Sequence, residues 1–176
     1  MRLAAAVGLI GAGLLLAGCG SGTVSGEADP DGVAAGEPVF SPCDDIPDQV
    51  LVELGLDPAT ESPDIVGVKQ PGWKICKWQG AGEVPALSVF ATKFTLDDVR
   101  QNQRNTEFMP VEVGGRQGFT YRESADRDRR NCDVAMASGG GVVLISIANL
   151  GVDPVLDNPC VVAVERAGRL AQFIPG

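Results

Sequence analysis

"NCDVAMASGGGVVLISIAN", residues 131–149, decides the fold. Two apolar-rich runs flank Ser138-Gly139-Gly140, and glycines enter positive φ without the penalty a Cβ brings, so the second run folds back on the first as an antiparallel hairpin. A parallel crossover would need a dozen or more residues between the runs, and there is no room for one. Along the first run, Cys132, Val134 and Met136 alternate onto one strand face.

The same turn chemistry recurs upstream, where Gly114-Gly115 separates "PVEV" from "RQGFTYRE". Further back, "DIVGVKQ" (64–70), "WKICKWQ" (73–79) and "ALSVFATKF" (86–94) have the composition of strands, and Pro71-Gly72 marks a turn between the first two. Alternation places Cys76 and Trp78 on one face of the second of these and Trp73 and Ile75 on the other.

Three helices complete the pattern. "SPCDDIPDQVLVELG" spaces Ile46, Val50 and Leu54 at helical intervals, with Asp44 and Asp45 at its start and Gly55 as its stop, and predicts one short helix. Thr95 with Asp98 three residues on has the form of a capping box, opening a polar helix through about Asn105. The last helix starts at Asn158-Pro159 and runs to about Phe173, with Cys160, Val164, Ala167 and Ala171 on one arc and Glu165, Arg166, Arg169 and Gln172 opposite. The expected order is α-βββ-α-ββββ-α, an α+β fold with a central antiparallel sheet and packed helices.

The amino end has a different character. Residues 1–18, "MRLAAAVGLIGAGLLLAG", carry one positive charge, an apolar run and then small residues, the layout of a secretory signal peptide. The run is too short and too glycine-rich for a permanent membrane span, so no transmembrane helix is expected in the mature form. Leu16-Ala17-Gly18-Cys19 resembles the bacterial lipobox, which makes Cys19 the expected site of lipid (palmitate) attachment. Residues 19–38 then read as a lipidated terminus and flexible linker, and residues 39–176 as one α+β domain. The expected location is the outer, extracytoplasmic face of the cell membrane, held by the lipid anchor. The net charge of −9 becomes −10 once Arg2 leaves with the leader, which disfavours nucleic acid as a partner.

Apart from Cys19 the cysteines are Cys43, Cys76, Cys132 and Cys160. An even count in an exported chain implies two disulfides, and four cysteines allow three connectivities that sequence alone does not separate. The sequential pairing, Cys43 with Cys76 and Cys132 with Cys160, is the expectation, each closing a loop of about 30 residues. Cys160 on the inner arc of its helix and Cys132 on a strand face make the second pair a reasonable helix-to-sheet bridge. With no CxxC pair and no histidine, no metal site is expected.

Phe40-Ser41-Pro42-Cys43-Asp44 before the first helix, Gly55 after it, Cys76-Lys77-Trp78, Cys132 opening a strand, Cys160 opening the last helix, and Ile174-Pro175 together resemble the actinobacterial lipoproteins called domain of unknown function 3558. The resemblance spans about Phe40 to Pro175 and adds the lipobox. It implies an extracytoplasmic lipoprotein with paired cysteines and carries no activity with it.

Catalytic chemistry is thinly represented. Absence of histidine removes His-dependent triads and the common zinc hydrolases, and no Ser-x-x-Lys or Gly-x-Ser-x-Gly context occurs, so no catalytic residue and no cofactor are expected. Binding residues are easier to nominate: Trp73 as an aromatic platform, and Arg127, Arg129 and Arg130 in "RESADRDRRNCD" as a grip for a carboxylate or phosphate. The expected function is therefore a non-enzymatic binding or interaction module for an envelope protein, lipid or glycan. The alternatives are a cell-wall glycan hydrolase working through paired carboxylates such as Asp44/Asp45 or Asp97/Asp98, and a contact-dependent exclusion or structural envelope factor.

Overall fold

The computed structural model describes residues 36–149 and 158–176, so the expected leader, the lipobox with Cys19 and most of the linker lie outside the described residues. In chain order the elements are α1 (Pro42–Asp45), α2 (Asp48–Glu53), β1 (Leu56–Pro63), β2 (Trp73–Gly80), β3 (Ala86–Thr92), α3 (Leu96–Gln101), β4 (Asn105–Val113), β5 (Arg116–Glu123), β6 (Asn131–Ser138), β7 (Gly141–Ala148) and α4 (Pro159–Leu170). A 3-10 turn, Ala171–Phe173, follows α4. The strands form one 7-stranded sheet in the order β1-β2-β3-β7-β6-β5-β4, antiparallel throughout.

Both glycine turns form as expected. Gly114 and Gly115 hold φ of 57° and 76°, and Gly139 and Gly140 hold 29° and 86°, which closes β4–β5 and β6–β7 as two-residue hairpins. The Thr95 box also closes: the Thr95 hydroxyl accepts from the Asp98 N–H, and the Asp98 carboxylate accepts from the Thr95 N–H at 2.7 Å. Asn158 caps α4 by accepting from the Cys160 N–H.

Four expectations are corrected. The first helix is two helices, because Pro47 holds the preceding Ile46 extended at φ −92°, ψ 116° and interrupts the ladder. The strand expected at 64–70 is instead a turn region with a single Ile65–Val68 bridge, and β1 occupies 56–63. Pro58 and Pro63 are tolerated there because β1 is an edge strand, where a missing N–H need not face a partner. α3 ends at Gln101 rather than near Asn105, whose side-chain amide donates to the Val99 carbonyl at 2.9 Å and closes the helix end. Arg166, expected on the outer arc of α4, is 6% exposed and donates to the Pro85 carbonyl at 3.0 Å.

The two sheet faces are covered unequally. On one face α1, α2 and α4 enclose the main core around Trp78, Leu51, Leu87, Ile145, Ile147 and Leu170. Both disulfides form on this face in the expected pairing: Cys43 of α1 to Cys76 of β2 at 1.99 Å, and Cys132 of β6 to Cys160 of α4 at 1.96 Å. On the other face the six-residue α3 sets Val99 over Phe119, Tyr121, Ala135 and Val142, a much smaller core.

Candidate functional site

Among the described residues, a short helix over a broad sheet leaves part of one face open. Directly opposed residues of neighbouring strands share a face, so the register draws two rows across the sheet there. One row is apolar: Phe119 opposite Ala135, Ala135 opposite Leu144, Leu144 opposite Phe90, Phe90 opposite Ile75. The next is polar: Tyr121 opposite Asp133, Asp133 opposite Ser146, Ser146 opposite Ser88, Ser88 opposite Lys77. α3 caps one end of the apolar row, and beside it lies a cleft of about 650 Å³.

Its apolar wall is aromatic. Trp73, half-buried, stands 5.6 Å from the Phe94 ring and 6.5 Å edge-on from Phe90, with Ile75 and Leu144 beside them. Tyr121, Asn131, Asp133 and Ser146 make its polar part, while Asp98, Arg104 and Glu123 stand at the rim.

Asp133 dominates the electrostatics. It is 9% exposed, and burial pushes its pKa up to about 6. A hydrogen bond from Ser146 opposes the rise, the charges of Glu123 and Asp126 add to it, and Arg122 lowers it. Burial raises the Tyr121 phenol as well, with Asp133 and Glu123 reinforcing the shift, so that hydroxyl stays protonated. The Asn131 side-chain oxygen is buried with no hydrogen-bond partner among the described residues. Arg104 sits 3.8 Å from Glu123, partly neutralising one acid of the rim.

Of the binding residues nominated from sequence, Trp73 lies in the cleft; Trp78, which alternation put on the other strand face, is in the opposite core, 0% exposed. Arg127, Arg129 and Arg130 sit on the β5–β6 loop and do not line the cleft; Arg129 makes a two-pronged bond to Glu107 at 2.6 and 2.7 Å. Arg122, from the same stretch, turns inward and donates to the carbonyls of Arg129 and Asn131, so it shapes the loop. Among the paired acids, Asp44 and Asp45 receive hydrogen bonds from Ser41, and Asp98 serves the Thr95 cap.

Asp133, Tyr121 and Ser146 were not nominated from sequence. The usable signal was a carboxylate at the centre of an apolar strand, opposite in phase to Cys132, Val134 and Met136, with a serine interrupting "VVLISIA" on the strand it pairs with. No curated protein and no solved structure matches the chain. The model of the family described as proteins of unknown function, DUF3558, matches residues 14–172, and the chain belongs to that family.

Proposed function

We propose that this chain is a lipid-anchored extracytoplasmic binding protein, non-enzymatic, whose ligand enters the cleft on the open face of the sheet. The lipobox at Cys19 supports the anchor, and two disulfides fit an oxidising compartment. The resemblance to actinobacterial lipoproteins points the same way.

One observation carries the binding reading: a concave space of about 650 Å³, within the size range of small-molecule sites, combines an aromatic wall with a few convergent polar groups. A face that served only to be covered would have no reason to bury a carboxylate at its centre, since a buried charge costs several kcal/mol unless something compensates it.

Two measurements test the two halves. Cys19→Ala moves the chain from the membrane fraction to the soluble fraction; retention on membranes removes the anchor. Native mass spectrometry of the chain extracted from membranes shows an added small-molecule mass that Ser146→Phe, which fills the cleft, abolishes. An added mass indifferent to that substitution places the ligand elsewhere.

A further inference from the structure

Among the described residues, the charged groups lining the cleft are mostly acids: Asp98, Glu123 and Asp133 against Arg104. The buried Asn131 side-chain oxygen has no partner among the described residues, and Asp133, two residues along the same strand face, is a carboxylate that the protein meets with a hydrogen bond from Ser146. Asp98 and Glu123 at the rim add negative charge, and Arg104, also at the rim, is held at 3.8 Å from Glu123. A ligand complementary to this arrangement brings donors and positive charge. The wall of Trp73, Phe90 and Phe94 asks for an apolar or aromatic body, and aromatic faces also attract cations.

From this geometry we infer that the cleft binds a small amphipathic cation: a primary ammonium on Asp133 and the Asn131 oxygen, with an aromatic or aliphatic body against Trp73. This rests on the cleft being the ligand site and adds the chemistry of the ligand. An anion would meet the like charge of Asp133, Asp98 and Glu123. A neutral polyol would bring donors yet leave the buried carboxylate uncompensated, so it falls behind an ammonium wherever Asp133 is ionised. With its pKa near 6, Asp133 is mostly ionised at neutral pH.

The test is calorimetric titration of the full chain at neutral pH with three probes of one shape: phenethylammonium, phenethyl alcohol and phenylpropanoate. The ammonium binds at least about tenfold more tightly than the alcohol, a difference of roughly 1.4 kcal/mol, and the carboxylate does not bind. Asp133→Asn abolishes the preference for ammonium over alcohol, while Trp73→Ala weakens both. Glu123→Gln, at the exposed rim where folding is not at stake, reduces the preference about threefold through its weaker, screened field.

Phenylpropanoate binding as well as phenethylammonium overturns the inference, as does an unchanged preference in Asp133→Asn. Equal binding of ammonium and alcohol, both weakened by Trp73→Ala, overturns the ammonium assignment while the cleft survives as a site. Binding that Trp73→Ala leaves untouched, or no binding by any probe, overturns both.

Discussion

At the residue scale the decisive side chain is Asp133, because its burial has a sign that can be measured. Its folded pKa is raised from 3.8 to about 6, so the folded state binds the proton more tightly than the unfolded chain does. Its contribution to stability is therefore fully present below about pH 4 and is lost as pH rises through about 6, costing the neutral-pH protein roughly 3 kcal/mol by linkage. The groups acting on it are Tyr121 and Glu123 from β5, Ser146 from β7, and the Asp126 and Arg122 charges. Asp133→Asn should flatten this part of the pH profile and raise the neutral-pH melting temperature; denaturant midpoints measured from pH 4 to 7 check it, and parallel profiles for the two proteins contradict it. Asp98 behaves oppositely. Hydrogen bonds from the Thr95 backbone and then its side chain lower its pKa, so its contribution is present at neutral pH and lost in acid. The Thr95 cap was legible because it is a local pattern spanning four residues, Thr95 to Asp98. Asp133 was not, since its role depends on Tyr121 and Ser146 on neighbouring strands, partners that only the register supplies.

At the element scale, sequence patterns worked where a turn or cap is local and failed where an edge or a long-range contact decides. The hairpins at Gly114-Gly115 and Gly139-Gly140 were legible from two glycines each. The strand at 56–63 was not, since "LDPATESP" has two prolines and little apolar content, and it forms because β2 offers an unpaired edge. "DIVGVKQ" misled for the reverse reason: Ile65, Val66 and Val68 are 48%, 95% and 59% exposed and pack into no strand. Arg116 shows the same dependence on distant partners. From the start of β5 its guanidinium donates to the carbonyls of Ala137 at 3.3 Å, Ile174 at 2.8 Å and Pro175 at 3.0 Å, and also to that of Ala171. It thereby ties the terminal 3-10 turn to the sheet. Arg116→Ala removes a charged donor from several carbonyls at once and should cost about 2 kcal/mol, with faster amide exchange confined at first to residues 171–176. Arg116→Lys should recover little, because an ammonium lacks the planar fork that reaches separated acceptors. Equal stability of the alanine variant and the parent would show that the turn holds by packing of Leu170 and Ile174 alone.

At the scale of the whole molecule, one asymmetry organises the described domain: every cross-link and every long helix lies on one face of the sheet, and the other face keeps the cleft. Cys43–Cys76 fixes α1 to β2 and Cys132–Cys160 fixes α4 to β6, so the main core is closed by covalent bonds near both sides of the sheet. The bridges span 33 and 28 residues, and in the chain-entropy model each contributes roughly 3–4 kcal/mol by restricting the unfolded chain. Because the loops do not overlap in sequence and the bridges join different elements, their effects should add. Serine replacement of either pair should lower stability by similar amounts, and replacement of both by about the sum, read as unfolding free energies from denaturant titrations fitted with each variant's own slope. The cleft lies on the uncrossed face and its floor is β5, β6, β7 and β3. Phenethylammonium affinity should therefore stay within about twofold in either single-pair variant while stability falls, since stability lost in the global unfolding equilibrium need not alter a site that remains folded at the assay temperature. A tenfold loss of affinity in the Cys132/Cys160 variant, without loss of secondary structure, would mean that α4 sets the position of β6 and with it Asp133, so that the two faces of the sheet are coupled.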